Sequence, residues 1–272
     1  MLPFLLLLAL RCAVPQADQP APPAAAITVP FELIAGVIVL HNVELNGRRG
    51  DFVLDTGCTY DLVVDQAAFP PSQLHLSAKR GLSAAGSVAL YELPIMQFAL
   101  GTLHDHPALA QATSLAAIRA AVGPRLLGLI GTGLLAHYEL VLDYTHHRLS
   151  LYSLDPARST ARPFIRRDSV AFTLEKGWPI VTGFIDSVPV QLLLDTGARD
   201  SYLAADFAHN LRVGARPTNS RRETLLTPGG RVAAQQATLP ALRVGTTEWR
   251  NVPLLLAPPS IRAGARCLTK AY

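Results

Sequence analysis

The chain has 272 residues, of which 50% are hydrophobic and 16% are charged, with a net charge of +4. This length suits one or two domains with a sizeable core, and the high hydrophobicity excludes intrinsic disorder of the whole chain. The arginines are scattered and form no basic stripe, so nucleic acid is not expected as a partner. The three cysteines contain no C-x-x-C spacing, which disfavours a cysteine zinc site.

The N-terminal residues have the composition of a targeting segment. The apolar run at 2–10 is shorter than the roughly 20 residues that a membrane-spanning helix needs, and it suits the core of a secretory signal. A spacer rich in Pro and Ala follows at 15–26. We therefore predict a signal peptide and spacer over residues 1–26, an exported protein (periplasmic or secreted) and no stable membrane span.

Two stretches of the remaining chain repeat each other. FVLDTGCTYDLVV at 52–64 and LLLDTGARDSYLA at 192–204 align without a gap, 140 residues apart. A strand–turn–strand pattern precedes each of them, at 36–50 and at 177–190, and Asn46-Gly47 is a strong hairpin-turn signal in the first. The chain is therefore predicted to consist of a first lobe over 27–152, a linker over 153–169 and a second lobe over 170–272.

The other predicted elements are mostly strands. In the first lobe they are, in chain order, a hairpin over 82–93 with its turn at Ala84-Ala85-Gly86, a strand over 96–103, a helix over 114–122, an apolar run over 126–135 that contains Gly131, and a hairpin over 139–152. In the second lobe a hairpin turn is predicted at 227–230. Long helical patterns are scarce, so the predicted fold class is mainly β.

Asp-Thr-Gly stands at the end of an apolar strand in both repeats, at 55–57 and at 195–197. The strand delivers the aspartate to the end of a buried sheet, glycine permits a sharp turn, and the threonine hydroxyl can hydrogen-bond beneath that turn. A pseudo-two-fold axis between the repeats would bring Asp55 and Asp195 face to face. Two such carboxylates share a proton, so one can act as a base on a water while the other donates to a substrate carbonyl.

These two triplets, together with Leu129-Ile130-Gly131, carry a resemblance to the aspartic proteases. The chain resembles bacterial exported proteins of the retropepsin-like kind, with two lobes fused as in pepsin. The resemblance implies two tandem β-barrel lobes related by pseudo-two-fold symmetry, with the strand before Gly131 threading behind the first catalytic loop. It also implies that Asp55 and Asp195 are the catalytic pair and that Thr56 and Thr196 interlock beneath them. Gly57, Gly197 and Gly131 would be the supporting glycines, and Ala84, Ala85 and Gly86 would form a flap over the substrate.

The C-terminal sequence departs from this family pattern. By the spacing of the first lobe, the second hydrophobic-hydrophobic-Gly element is expected near residue 271, but SIRAGARCLTKAY at 260–272 contains none. The second lobe is therefore expected to be incomplete, without its final threading strand and closing hairpin, and to open more readily than the first. A smaller departure is Cys58, which follows the first triplet where the family has Ser, Thr or Ala and is expected to pack as a small apolar residue.

The resemblance implies an aspartic endopeptidase whose partner is a polypeptide in an extended conformation. No cofactor and no metal are expected, because His104 and His106, and likewise His146 and His147, have no third ligand in register. Trp178 is interpreted as a packing residue. Two alternatives stay open: a catalytically inactive peptide-binding module with a protease-like fold, and a homodimeric protease that uses Asp55 only. The residues also leave open whether the protein is a monomer or a homodimer.

Overall fold

The structure, a computed structural model, describes residues 27–83, 86–103, 107–154, 169–204, 216–228, 230–257 and 267–270. The predicted signal peptide and spacer, most of the predicted linker, and the flap residues Ala84 and Ala85 lie outside the described residues. The predicted boundaries between lobes and linker therefore stay predictions.

The first lobe is built almost entirely of strands, with two short helices between them. Its described elements are β1 (Ile27–Pro30), β2 (Glu32–Ile34), β3 (Val37–Leu45), β4 (Arg48–Leu54), β5 (Leu62–Asp65), 3-10 turns at Gln66–Ala68 and Pro71–Gln73, β6 (His75–Ser83), β7 (Gly86–Pro94), β8 (Phe98–Ala99), β9 (Leu109–Thr113), α1 (Ala116–Val122), β10 (Leu126–Ile130), α2 (Thr132–Leu135), β11 (Tyr138–Asp143) and β12 (Arg148–Ser153).

The described part of the second lobe consists of strands. They are β13 (Phe172–Glu175), β14 (Trp178–Ile185), β15 (Val188–Asp195), β16 (Tyr202–Ala204), β17 (Arg216–Thr227), β18 (Gly230–Val244), β19 (Thr247–Ala257) and β20 (Cys267–Lys270). Neither described helix of the chain is long and apolar enough to cross a membrane.

Each lobe has one large sheet, and the two sheets share one strand order. The first sheet runs β2-β3-β4-β10-β5-β9-β7-β6, and the second runs β13-β14-β15-β20-β16-β19-β18-β17. The first lobe also contains a three-stranded sheet, β1-β12-β11, and the two-residue strand β8 pairs with β3. The predicted mainly β fold with two tandem lobes is thus confirmed.

Turn chemistry explains the hairpins that lead into both aspartates. Asn46 and Gly47, with φ angles of 49° and 74°, join β3 to β4, and Leu45 pairs with Arg48. Asp186, with a φ of 54°, lies in the matching turn between β14 and β15. These are the residue types that tolerate the left-handed conformation of a tight hairpin turn. The second predicted turn, at Thr227 and Gly230, is also present and joins β17 to β18.

The apolar run of the first lobe forms the central strand of its sheet. β10 pairs in parallel with β4 and antiparallel with β5, and all five of its residues are buried. Such an uninterrupted apolar sequence is typical of a strand that is covered on both faces. Gly128 and Gly131 are required there, because a Cβ would lie 2.4 Å from the Val63 carbonyl oxygen and 2.2 Å from that of Tyr60, respectively.

The second lobe does have a strand at this position, so the expectation that its threading strand is missing is wrong. β20 pairs in parallel with β15, with Leu193 opposite Leu268 and Asp195 opposite Lys270, and it pairs antiparallel with β16. This is the pairing that β10 makes with β4 and β5. Backbone hydrogen bonds can be made by any sequence, so Cys-Leu-Thr-Lys takes the place of an apolar strand. A counterpart of the β11–β12 hairpin would follow Lys270, the last described residue.

Candidate active site

The two Asp-Thr-Gly turns follow equivalent strands and hold their own carboxylates. Asp55 comes directly after β4, and Asp195 is the last residue of β15. In each turn the glycine N–H donates to the aspartate Oδ1, from Gly57 at 3.0 Å and from Gly197 at 2.9 Å. In the first lobe the Asp55 N–H also donates to the Ile130 carbonyl at 2.9 Å, so β10 holds this loop from behind.

Each carboxylate also lies against the glycine of the other lobe. A Cβ added to Gly57 would be 2.5 Å from Cγ and Oδ2 of Asp195, and one added to Gly197 would be 2.5 Å from Oδ1 of Asp55. Real side chains do not approach so closely, so both glycines are required by the opposite carboxyl group. The crossed contacts place Asp55 and Asp195 face to face.

The threonines of the two turns are interlocked beneath the carboxylates. The Thr56 N–H donates to Thr196 Oγ1 at 3.1 Å, and the Thr196 N–H donates to Thr56 Oγ1 at 3.0 Å. Each hydroxyl then donates to the strand of the other lobe, Thr56 to the Leu194 carbonyl and Thr196 to the Leu54 carbonyl, both at 2.7 Å. These four hydrogen bonds fix the two loops against each other within one chain.

The same symmetry extends to the next pair of contacts. A Cβ on Gly36 would lie 2.6 Å from Cγ of Arg199, and one on Gly177 would lie 3.4 Å from the Thr59 side chain. Thr59 and Arg199 are themselves 140 residues apart, as are the two aspartates. Each lobe therefore places the start of its strand β3 or β14 against the loop that follows the Asp-Thr-Gly triplet of the other lobe.

The environment of the pair favours one shared proton. Burial, the charge of Asp195 and a hydrogen bond between the two side chains raise the pKa of Asp55 well above its ordinary value. Burial also raises the pKa of Asp195, but hydrogen bonds from the Gly197 N–H and from the Asp55 side chain act in the opposite direction. Two carboxyls held this close cannot both ionise cheaply. The two carboxyl groups therefore share one proton as a pair.

Cys58 belongs to the packing of this site. It is a free cysteine, half-buried, with Sγ 3.0 Å from where a Cβ on Gly131 would lie. Burial and the nearby Asp55 carboxylate raise the pKa of its thiol. A thiol that stays protonated is a poor nucleophile, so Cys58 is not a candidate nucleophile of this site.

The carboxylates open into a cleft of about 370 Å³ that both lobes line. Its roof comes from two hairpins: Ser83 and Gly86 at the turn of β6–β7, and Thr227 and Pro228 at the turn of β17–β18, all line the cleft. The first hairpin is the predicted flap, of which Gly86 is described. The second hairpin gives the cleft a flap-like element from the other lobe, which the sequence interpretation did not include.

One wall of the cleft is apolar and is supported by an ion pair whose carboxylate is buried. The wall is formed by Val53, Val63, Val88, Leu90, Ile118, Ala121, Val122 and Leu129. Three of these residues belong to α1. Arg119 of the same helix forms an ion pair with the buried Asp65 carboxylate. That carboxylate also accepts hydrogen bonds from the Ala67 and Leu115 N–H groups, both at 3.3 Å. The helix is predicted from its composition, but the ion pair that holds it is not, since neither Arg119 nor Asp65 belongs to a motif.

The described residues contain no group of three or more side chains that could hold a metal ion. His146 pairs with Asp143, and His147 stacks on Phe31 at a ring distance of 5.5 Å. His104 and His106 lie outside the described residues.

Part of the chain is similar to a known protein family, and two solved structures show a weaker likeness. A model of the family described as aspartyl protease matches residues 181–267. A retropepsin-like aspartic protease from Rickettsia conorii is 18% identical, with a TM-score of 0.33, over 46% of this chain and 89% of its own. Basic 7S globulin from soybean is 12% identical, with a TM-score of 0.44, over 90% of this chain and 89% of its own. No curated protein sequence matches the chain significantly. With its two matching sheets and an aspartyl protease match over the second, the chain has the fold of the retropepsin-like and pepsin-like aspartic proteases.

Proposed function

We propose that the chain is an aspartic endopeptidase whose catalytic residues are Asp55 and Asp195. The observation that carries this proposal is the crossed contact of each carboxylate with the glycine of the other lobe, on a platform of four threonine hydrogen bonds. A strand–turn cap would need neither the crossing nor the interlock. Their presence within one chain favours a complete site over a homodimer that uses Asp55 only.

In the protonation state that has the shared proton on Asp55, the two carboxyl groups have different roles. The Asp195 carboxylate takes a proton from a water between the two side chains as the water oxygen forms a bond to the peptide carbonyl carbon. Asp55 gives its proton to the carbonyl oxygen, which yields a neutral tetrahedral intermediate. Asp195 then gives the proton it took from the water to the amide nitrogen, and a hydroxyl of the intermediate gives a proton to Asp55 as the C–N bond breaks. The products are a carboxylic acid and an amine, and the pair is again singly protonated. No cofactor takes part in this sequence.

The substrate is an extended polypeptide that lies in the cleft beneath the two hairpin turns. Edges of β-hairpins can pair with an added strand, and alternate side chains then enter pockets on either side. The apolar wall beside α1 supports a substrate with an apolar side chain on the first-lobe side of the scissile bond. The inactive-module alternative predicts the same binding without cleavage.

The test is cleavage of an unfolded protein substrate between about pH 4 and 7, where a carboxyl dyad can hold one proton. Asp55→Asn and Asp195→Asn should each remove nearly all activity. The matched control is Asp186→Asn, because Asp186 is exposed in a hairpin turn whose positive φ asparagine also accepts. Binding without cleavage by the unaltered chain would support the inactive module, and activity kept by Asp195→Asn would support the homodimer.

We also propose that the protein is exported, because an apolar run and a Pro/Ala spacer precede the first strand at Ile27. Mass spectrometry of the protein from its native source should show a chain that has lost its first 17 to 26 residues. A chain that retains Met1 would contradict export by cleavage of a signal peptide.

A further inference from the structure

Trp178 joins the second lobe to the first catalytic loop. It is the first residue of β14, and its indole Nε1 donates a hydrogen bond of 2.8 Å to the Gly57 carbonyl oxygen. Trp178 and Gly57 both line the cleft, together with Asp55 and Asp195. The indole therefore does more than pack against its neighbours, because its N–H bonds to the Asp-Thr-Gly turn of the other lobe.

Gly57 is the residue of the first lobe that touches both carboxylates. Its N–H donates to Asp55 Oδ1, and its Cα faces the carboxyl group of Asp195 so closely that no Cβ could fit. A glycine has no side chain to restrain its backbone, and its rotational freedom is correspondingly large. A donor that fixes the Gly57 carbonyl thus limits rotation at the point where the two carboxylates meet.

Among the residues that the structure describes, the position equivalent to Trp178 offers no indole N–H to the turn of the second lobe. Where GWPIV at 177–181 contains Trp178, GVIVL at 36–40 contains Val37. Val37 also lines the cleft, but its side chain has no N–H to donate to Gly197. The two turns are alike in their threonines and glycines, and the bond from Trp178 is a difference between them.

We propose that Trp178 is a positioning residue of the reaction, which holds Gly57 and thereby sets the orientation of Asp55 against Asp195. This inference rests on the proposed function. It differs from a purely structural role, in which the indole would only hold the lobes together. In the positioning role, loss of the N–H changes the chemical step and its pH dependence, while the affinity for substrate changes little.

Trp178→Phe tests the proposal, since phenylalanine keeps a ring and removes the N–H. We expect kcat to fall about tenfold, as loss of one neutral hydrogen bond in the transition state predicts. The acid limb of the pH–rate profile should shift, and KM should stay within about threefold of its value in the unaltered chain. Trp249→Phe is the control, because Trp249 is exposed on β19, does not line the cleft, and is the other of the two tryptophans in the chain. It should leave kcat and the profile unchanged.

A second measurement is independent of catalysis. In Trp249→Phe the single tryptophan is Trp178, and its fluorescence should change as the pH crosses the titration of the aspartates and on addition of a statine-type peptide. Asp55→Asn in the same background should abolish the pH-dependent change. If the chain cleaves nothing but this signal is present, the proposed function fails while the coupling of Trp178 to the dyad stands.

The proposal is overturned by either of two results. One is a Trp178→Phe variant that unfolds more easily but keeps kcat and the pH profile in its folded fraction. The other is Trp178 fluorescence that is insensitive to the protonation of the aspartates.

Discussion

The interlocked threonines should account for a large share of the stability of the lobe interface. Thr196→Val keeps the branched shape of the side chain and removes the hydroxyl. That hydroxyl accepts from the Thr56 N–H and donates to the Leu54 carbonyl. Thr196 is only 7% exposed, so water cannot replace these bonds without a local rearrangement.

The expected loss follows from the two backbone groups that are left without partners. Each unsatisfied buried group costs about 1–3 kcal/mol, so Thr196→Val should lower the free energy of unfolding by about 2–6 kcal/mol. The total for a domain is about 5–15 kcal/mol, so the change is large enough to separate the lobes at a moderate denaturant concentration. Thr196→Ser should recover most of the loss, because it restores the hydroxyl.

Urea unfolding at a fixed pH measures these changes through the shift of the midpoint at constant slope. Thr28→Val is the control, because Thr28 is exposed and its hydroxyl bonds only to the Ser150 hydroxyl, at 3.0 Å. It should change the free energy of unfolding by less than about 0.5 kcal/mol. A Thr196→Val variant as stable as this control would refute the view that the interlock holds the lobes together.

Three further predictions concern the groups around the dyad. The folded chain binds a proton on Asp55 more tightly than the unfolded chain does, because the pKa of Asp55 is raised in the folded state. The stability that this proton contributes should be complete below the ordinary aspartate pKa and lost as the pH rises through the raised folded pKa. A plot of unfolding free energy against pH should therefore be flatter for Asp55→Asn, and equal slopes would contradict the raised pKa. Gly57→Ala should lower activity at least about tenfold, because the added Cβ displaces Asp195. A peptidase assay on the folded variant measures this loss, and full activity would show that the two carboxylates are not held this closely. Arg119→Gln leaves the buried Asp65 without its cation, so urea unfolding should show a loss of about 1.5–3 kcal/mol. A loss under about 1 kcal/mol, typical of a surface pair, would mean that the pair does not anchor α1.

The parts of the fold that could be predicted from sequence are those with local signals. The Asn46-Gly47 turn has residue types that tolerate positive φ, and the Asp-Thr-Gly triplets end strands whose apolar sequence indicates burial. The helix at Ala116–Val122 and the hairpin over β11 and β12 also follow from composition and alternation. Each of these depends on neighbours along the chain.

The parts that could not be predicted depend on partners far along the chain. β20 was missed because its residues lack the apolar pattern of β10, while its place between β15 and β16 is set by backbone pairing. The bond from Trp178 to Gly57 joins residues 121 positions apart, and a tryptophan beside a proline gives no sign of it. Arg119 and Asp65 are likewise ordinary residues until the fold brings them together.

The central claim is that two lobes of one chain form one site with two aspartates. Calorimetric titration with a statine-type peptide inhibitor tests it without knowledge of the natural substrate. We expect one inhibitor per chain. Binding to Asp55→Asn and to Asp195→Asn should each be about 10- to 100-fold weaker, as loss of a charge-assisted hydrogen bond predicts. One inhibitor per two chains, or undiminished binding to Asp195→Asn, would contradict the claim.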